Sequence, residues 1–317
     1  MQSKIIKLNS LSLRERVGVR AAYLFLYFSG TPSPDFLPIF KKKLDKSDSP
    51  VGRERKLAKI SYSLILAFYL ILLPLSSIAA DNTTTARWYK IYWNKIYIAD
   101  LKASISENEV AAKIQSYGTV KAISKYANYT YTKFHKNGDQ YIPEEFISNT
   151  TQRQGKKDVV IKYGNDGKIL EESVTPPDKR HKRPAVEDNL KIDAFNPAFA
   201  AIIARDKIGD GLANGKKKFH LNIYDGRRLS KLEFNIIGRQ TIKVLEKNTD
   251  VVKIEFRRIP VAGFTNNELK RMNGEEPDFS VYLNINDLLP VKADAVAPLG
   301  KASFILEKEC KSIEECK

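Results

Sequence analysis

The chain has 317 residues and carries 53 lysines and arginines against 37 acids, a formal net charge of +16, with 43% hydrophobic and 10% aromatic residues. Thirteen of those cations and five of those acids lie in residues 1–80, which leaves 40 against 32, or +8, for residues 81–317. An excess that modest suits phospholipid headgroups, lipopolysaccharide phosphates or cell-wall polymers, and it does not make the footprint of a nucleic-acid binder.

Residues 1–52 show neither helical nor alternating periodicity. The run Leu11 to Arg20 resembles translated repetitive intergenic elements of bacterial genomes, so this stretch reads as a disordered or mis-annotated leader. Met1 and Met272 are the only methionines. A shorter product would therefore start at a non-AUG codon, with Val51 and Leu57 as candidates.

Residues 53–80 read as a signal peptide: basic Arg53, Arg55, Lys56 and Lys59, an apolar run from Ile60 to Leu75, and the small-residue exit Ser77-Ile78-Ala79. The alternative is an inner-membrane anchor over residues 60–80, since about 20 apolar residues span a bilayer. Pro74 and the polar start Asp81-Asn82-Thr83-Thr84-Thr85 favour cleavage. Export places the protein in the periplasm, away from ATP, genomic DNA and reducing buffers. Residues 81–317 are long enough to bury a core as one antiparallel β domain. Cys310 and Cys316, the only cysteines, are a pair that closes a disulfide in an oxidising compartment, at about 2 kcal/mol for so short a loop.

Alternation with period two dominates from Arg87 onward. Tyr89, Ile91 and Trp93 face one way, and Trp88, Lys90, Tyr92 and Asn94 the other, in an aromatic first strand reaching Ile98. Further alternations are Phe219-Leu221-Ile223, Leu232-Phe234-Ile236, Val252-Ile254-Phe256, Val281-Leu283-Ile285, Val291-Ala293-Ala295 and Ala302-Phe304-Leu306. Hairpin signals fall between strands at Asn137-Gly138, Asn165-Asp166-Gly167, Asp225-Gly226 and Asn273-Gly274. One helix is predicted from Pro197 to Ile208, capped by Asn196, and a short one from Thr119 to Tyr126. Between the two strand sets, Thr175 to Pro184 carries three prolines and a basic burst, which reads as a surface loop. The predicted fold is mostly β: a single strongly curved antiparallel sheet, or a partly open β-barrel, wrapping one main helix.

The order of motifs resembles a known family. An aromatic strand (Trp88 to Ile98), a helix entered by Phe195-Asn196-Pro197-Ala198-Phe199, the hairpin Tyr224-Asp225-Gly226-Arg227-Arg228, the bend Arg258 to Phe264, and a closing Leu289-Pro290-Val291-Lys292 through Leu299-Gly300-Lys301-Ala302 are similar to the exported bacterial family catalogued as domain of unknown function 3108, over about residues 87 to 307. The resemblance implies a periplasmic antiparallel sheet curved around a helix, akin to lipoprotein carriers of the outer-membrane localisation pathway, and no assigned activity. Members often carry a cysteine pair near the hairpin and bend; this chain has none there.

The chemistry-bearing residues are sparse. His135, His181 and His220 lie outside any nucleophile-like context, and no group has metal-ligand spacing, so no catalytic residue, cofactor or metal is expected. Glu144-Glu145 reads as a solvated strand start. Arg227 and Arg228 on a rigid turn suit a phosphate or carboxylate, or else pair with sheet acids such as Glu233 or Glu255. Lys179, Arg180, Lys182 and Arg183 form either a solvated charge run or an anion contact. Three functions follow. One is a non-enzymatic protein holding a lipid or acyl chain in a curved groove under a helical lid (Phe199, Ile202, Ile203). Another is an envelope-integrity or assembly scaffold that binds protein or cell wall through its sheet edge and basic loop. The third is an unrecognised hydrolase. Membrane proximity is expected for the first two, and nucleic acid for none.

Overall fold

The computed structural model describes residues 84–316, apart from 139, 154, 178–182, 273–276 and 298–299. The expectations for residues 1–52 and 53–80, for Lys179, Arg180, His181 and Lys182, and for the Asn273-Gly274 turn lie outside the described residues.

Fourteen strands form one sheet. The N-terminal set is β1 (Thr85–Trp93), β2 (Ile96–Ile105), β3 (Glu109–Ser116), β4 (Ala127–Asn137), β5 (Gln140–Gln152), β6 (Gly155–Tyr163) and β7 (Ile169–Thr175), with helix α1 (Gly118–Ser124) between β3 and β4. A 3-10 turn (Asp188–Lys191), the two-residue β8 (Ala194–Phe195) and helix α2 (Pro197–Asn214) follow. The C-terminal set is β9 (Lys218–Tyr224), β10 (Leu229–Val244), β11 (Lys247–Ala262), β12 (Phe279–Asn284), β13 (Pro290–Ala297) and β14 (Gly300–Cys310), with helix α3 (Asn266–Met272) after β11. The spatial order is β7-β6-β5-β4-β3-β2-β1-β14-β13-β12-β11-β10-β9-β8. Each neighbouring pair is antiparallel except β8 and β9. The two sets are joined by their terminal strands, β1 and β14, with Tyr89 opposite Leu306 and Ile91 opposite Phe304.

The first strand is shorter than its alternation suggests. The chain reverses at Asn94 and Lys95, both at positive φ (46° and 68°), as a two-residue hairpin requires. Lysine is not a turn signal, so the sequence reads through it. Asn94 Oδ1 accepts from Lys301 N at 2.9 Å, which ties this turn to β14. The inward faces are as the alternation predicts: Tyr89, Ile91 and Trp93 are buried, as are Leu232, Phe234 and Ile236.

α2 begins where its signals place it. Asn196 Oδ1 accepts from Phe199 N at 2.9 Å, and Pro197 occupies the first turn. It continues six residues past Ile208, to a glycine stop at Gly215 (φ 73°). The helix is buried around most of its circumference, including Phe199, Ala200, Ala201, Ile202, Ala204 and Ile208. It therefore lies inside the curve of the sheet and fills it, rather than covering an open groove. Phe134 and Phe195 meet Phe199 at 5.8 and 5.5 Å, and Phe219 packs beside Gly211, where a Cβ would come within 2.6 Å of its ring. Across the sheet, Phe219, Phe234, Phe256 and Phe279 stack in register at 5.3, 5.5 and 4.8 Å. This is a packed interior.

Strand directions give the sheet two ends. The lower end carries the β4–β5 turn, the loop between β12 and β13, and the disulfide joining Cys310 and Cys316 (Cα–Cα 5.5 Å). The upper end carries the β1–β2 and β9–β10 turns and α3. The outermost strands share no backbone ladder. Side chains seal the seam between the β6–β7 edge and β9: Lys191 Nζ donates to Glu172 of β7 at 2.8 Å and lies 5.3 Å over the Tyr224 ring of β9. The Asp225-Gly226 turn tucks against Val159 and Ile161 of β6.

Candidate functional site

Two buried polar groupings stand out against this apolar interior, one at each end. The upper grouping gathers around the Asp225 turn. Arg228 Nε donates to Asp225 Oδ2 at 2.8 Å, and Arg258 Nη2 lies 3.8 Å from the same oxygen while its Nε donates to Ser230 at 2.8 Å. Arg183 donates to the Gly263 carbonyl and to Glu268 Oε1, both at 2.5 Å. Arg228 Nη1 lies 3.7 Å from that glutamate oxygen. Burial pushes the Asp225 carboxyl up, but Arg228 and Arg258 outweigh it, so the group is held below the usual carboxylate range. Lys157 of β6 faces the same grouping. Burial, with Arg227, Arg228 and Arg183 nearby, pulls its amine down to about 6.

This arrangement corrects two expectations. Arg228 pairs with its own turn aspartate and with Glu268 of α3, not with Glu233 or Glu255, which are bound by Lys231 (3.0 Å) and Lys253 (2.6 Å) on the outer face. Arg183 is no surface anion contact: it is buried, and its guanidinium is bound to Glu268 of α3. Arg227 is half-buried, and its backbone N–H donates to Asp225 Oδ1 at 3.1 Å. These arginines gather at the upper end of the molecule.

The lower grouping was not found from sequence. Arg87 of β1 is bound to Glu309 of β14 and lies 3.4 Å from Asp287 in the loop between β12 and β13. Tyr89 donates its hydroxyl proton to the Pro290 carbonyl at 3.0 Å. Burial raises the Asp287 carboxyl, partly offset by the Leu289 N–H and Arg87. Arg205 of α2 feels the charges of Asp206, Tyr141 and Asp287, the last of which belongs to this grouping, and it is 6% exposed. The only sequence signal was its position: Ala201, Ile202, Arg205 and Ile208 share one helical face, so a charge sits in an otherwise apolar stripe.

Of the designated lid residues, Phe199 and Ile202 are fully buried and Ile203 is partly buried. His135 Nδ1 is 3.0 Å from Glu144, whose carboxylate also binds Lys133 at 2.7 Å, and His220 is exposed. A shallow depression of about 460 Å³ lies on the outer face of β9–β11, lined by His220, Glu233, Asn235, Glu255 and Arg257 among others. Its charges are of mixed sign and shared with neighbouring lysines. Among the described residues, no group of three or more His, Cys, Asp or Glu side chains could hold a metal ion. Nor is any described helix long and apolar enough to cross a membrane.

A family model described as "Protein of unknown function (DUF3108)" matches residues 89–307. The chain belongs to the DUF3108 family. No curated protein matches its sequence. Among solved structures, this DUF3108 protein is similar to a β-barrel-like protein of the DUF1849 family from Brucella abortus, at 10% identity over 73% of this chain and 98% of that one, with a TM-score of 0.44. It is also similar to a putative lipoprotein from Parabacteroides distasonis (12% identity, 73% and 100% coverage, TM-score 0.28). A putative outer membrane lipoprotein-sorting protein domain from Vibrio parahaemolyticus matches at 7% identity over 73% and 86%, with a TM-score of 0.21. The family membership rests on the sequence match.

Proposed function

We propose that this DUF3108 protein is a non-enzymatic envelope protein, exported to the periplasm, that holds the apolar chain of a lipid between α2 and the inner face of its sheet. The observation that carries this reading is an apolar enclosure whose edge strands are sealed by side chains and not by a backbone ladder. Such a seam can part without breaking strand pairing. The filler is a helix rich in small residues, with Ala198, Ala200, Ala201 and Ala204 all buried. An alanine surface makes shallow contacts, so the helix gives up less on moving than a large-residue face would. The disulfide fits an oxidising compartment, and the signal sequence over residues 53–80 supplies the route.

The test is native mass spectrometry of the full chain expressed with its own leader. We expect a co-purifying lipid adduct, and a rise in melting temperature when oleic acid is added to delipidated protein. Absence of both removes the carrier reading.

A second reading has an observation of its own. On the outer face, the Tyr97 ring meets those of Tyr117 at 4.4 Å and Tyr92 at 5.9 Å in tilted pairs, and Lys90 lies over Trp88 and Tyr97 at 5.5 and 5.8 Å. An aromatic and cationic stripe of this kind suits a cell-wall polymer and favours a scaffold role.

A further inference from the structure

Arg205 is the anomaly of the interior. Its Nε and Nη1 are buried with no hydrogen-bond partner among the described residues. Three acceptors are near enough to be felt, namely Asp206, Tyr141 and Asp287, yet none takes those protons. Asp287 is engaged elsewhere, accepting from Arg87 at 3.4 Å and from the Leu289 N–H at 2.9 Å. Burial lowers the guanidinium to about 10, which still leaves it charged at neutral pH. A buried cation without a hydrogen-bonding partner is strongly penalised and is normally found paired. The upper arginines obey that rule, each being matched by Asp225 or Glu268.

We propose that Arg205 is the headgroup anchor of the ligand site: its guanidinium receives the carboxylate or phosphate of an acidic amphiphile that enters at the lower end, with the apolar chain lying along α2. This rests on the lipid reading above and narrows it to anionic lipids. The position fits the chemistry. At the upper end the buried arginines are already matched by Asp225 and Glu268, whereas Arg205 lies one helical turn from Gly209, which passes the β12–β13 loop at Leu288. A headgroup held there meets solvent on one side and the apolar interior on the other. The fork of a guanidinium suits two oxygens of one anion.

Three probes sharing one acyl chain separate the possibilities: oleic acid, oleoyl lysophosphatidic acid and oleyl alcohol, titrated into delipidated full-length protein. Wild type is expected to bind the two acids at least about tenfold more tightly than the alcohol, the worth of one charge-assisted hydrogen bond. Arg205→Gln is expected to abolish that preference while leaving alcohol binding within about threefold. Preference for one acid over the other assigns the headgroup as carboxylate or phosphate. If wild type binds acid and alcohol equally, or if Arg205→Gln keeps the preference, the anchor is overturned while the lipid reading stands. If wild type binds none of the three, both fall. Equal binding of acid and alcohol by wild type overturns the anchor without any variant, and where Arg205→Gln does not fold, Arg205→Met, which leaves no polar atom to bury, carries the same test.

Discussion

At the residue scale, the described buried charges other than Arg205 are each matched by an opposite charge. Lys157 shows the consequence for stability. Its ordinary value is 10.5 and its folded value about 6, so between those limits the unfolded chain holds more protons than the folded one. Stability gained from this group is therefore present at high pH and is lost as pH falls toward 6. Lys157→Met removes the titration. The melting-temperature advantage of the variant over wild type should be largest near pH 6 and shrink toward pH 10, followed by differential scanning calorimetry. An offset that is the same at both ends would contradict the burial described for this amine. None of this was legible beforehand, because Lys157 sits in the unremarkable run Gly155-Lys156-Lys157-Asp158. Its surroundings come from the Asp225 turn and the loop at Arg183.

At the scale of elements, α2 was legible at its start and not at its end or in its role. Asn196, Pro197 and the apolar stripe identify the N-terminus through local chemistry alone. Asn196 also donates to Thr132 Oγ1 at 3.1 Å, and Thr132 in turn donates to the Glu145 carbonyl at 2.9 Å, so the cap is pinned to β4 and β5. Asn196→Ala should destabilise the protein by about 1–2 kcal/mol, combining a lost cap with a buried hydroxyl left short of a partner. Asn196→Asp should retain the capping share. Urea unfolding of the two variants measures the difference: equal losses would show that the cap contributes nothing, and no loss in Asn196→Asp would show the same of the Thr132 contact. The strand pattern, by contrast, was legible in β1 and in β9 to β14, since period-two alternation needs only neighbours in sequence, whereas β2 to β8 were not placed individually. The Asn94-Lys95 and Leu245-Glu246 hairpins were missed because all four residues take a positive φ and none of them is glycine.

At the scale of the whole molecule, the seam decides whether the enclosure can open. Gly226 has φ +84°, and a Cβ there would run into Val159 of β6. Gly226→Val is therefore expected to lift the β9–β10 turn off β6 and loosen the seam without disturbing β1–β3, on the far side of the sheet. Hydrogen exchange should quicken in β6, β7 and β9 and stay unchanged in β2 and β3. Uniform acceleration would mean that the turn supports the entire fold and not the seam alone.

Local information in this chain was enough to establish a curved antiparallel β protein with one main helix, three of its hairpin turns and the inward faces of the strands it placed. Alternation, capping and turn chemistry act over a few residues, so they can be read in place. The tertiary structure decided what depends on long-range meeting. It paired β1 with β14, drew Arg183 and Arg228 onto Glu268, put α2 inside the sheet, and left Arg205 buried with Nε and Nη1 lacking hydrogen-bond partners among the described residues. A side chain's partners are set by which distant surfaces the fold brings together, and electrostatics in a dry interior depends on those partners more than on the residue itself.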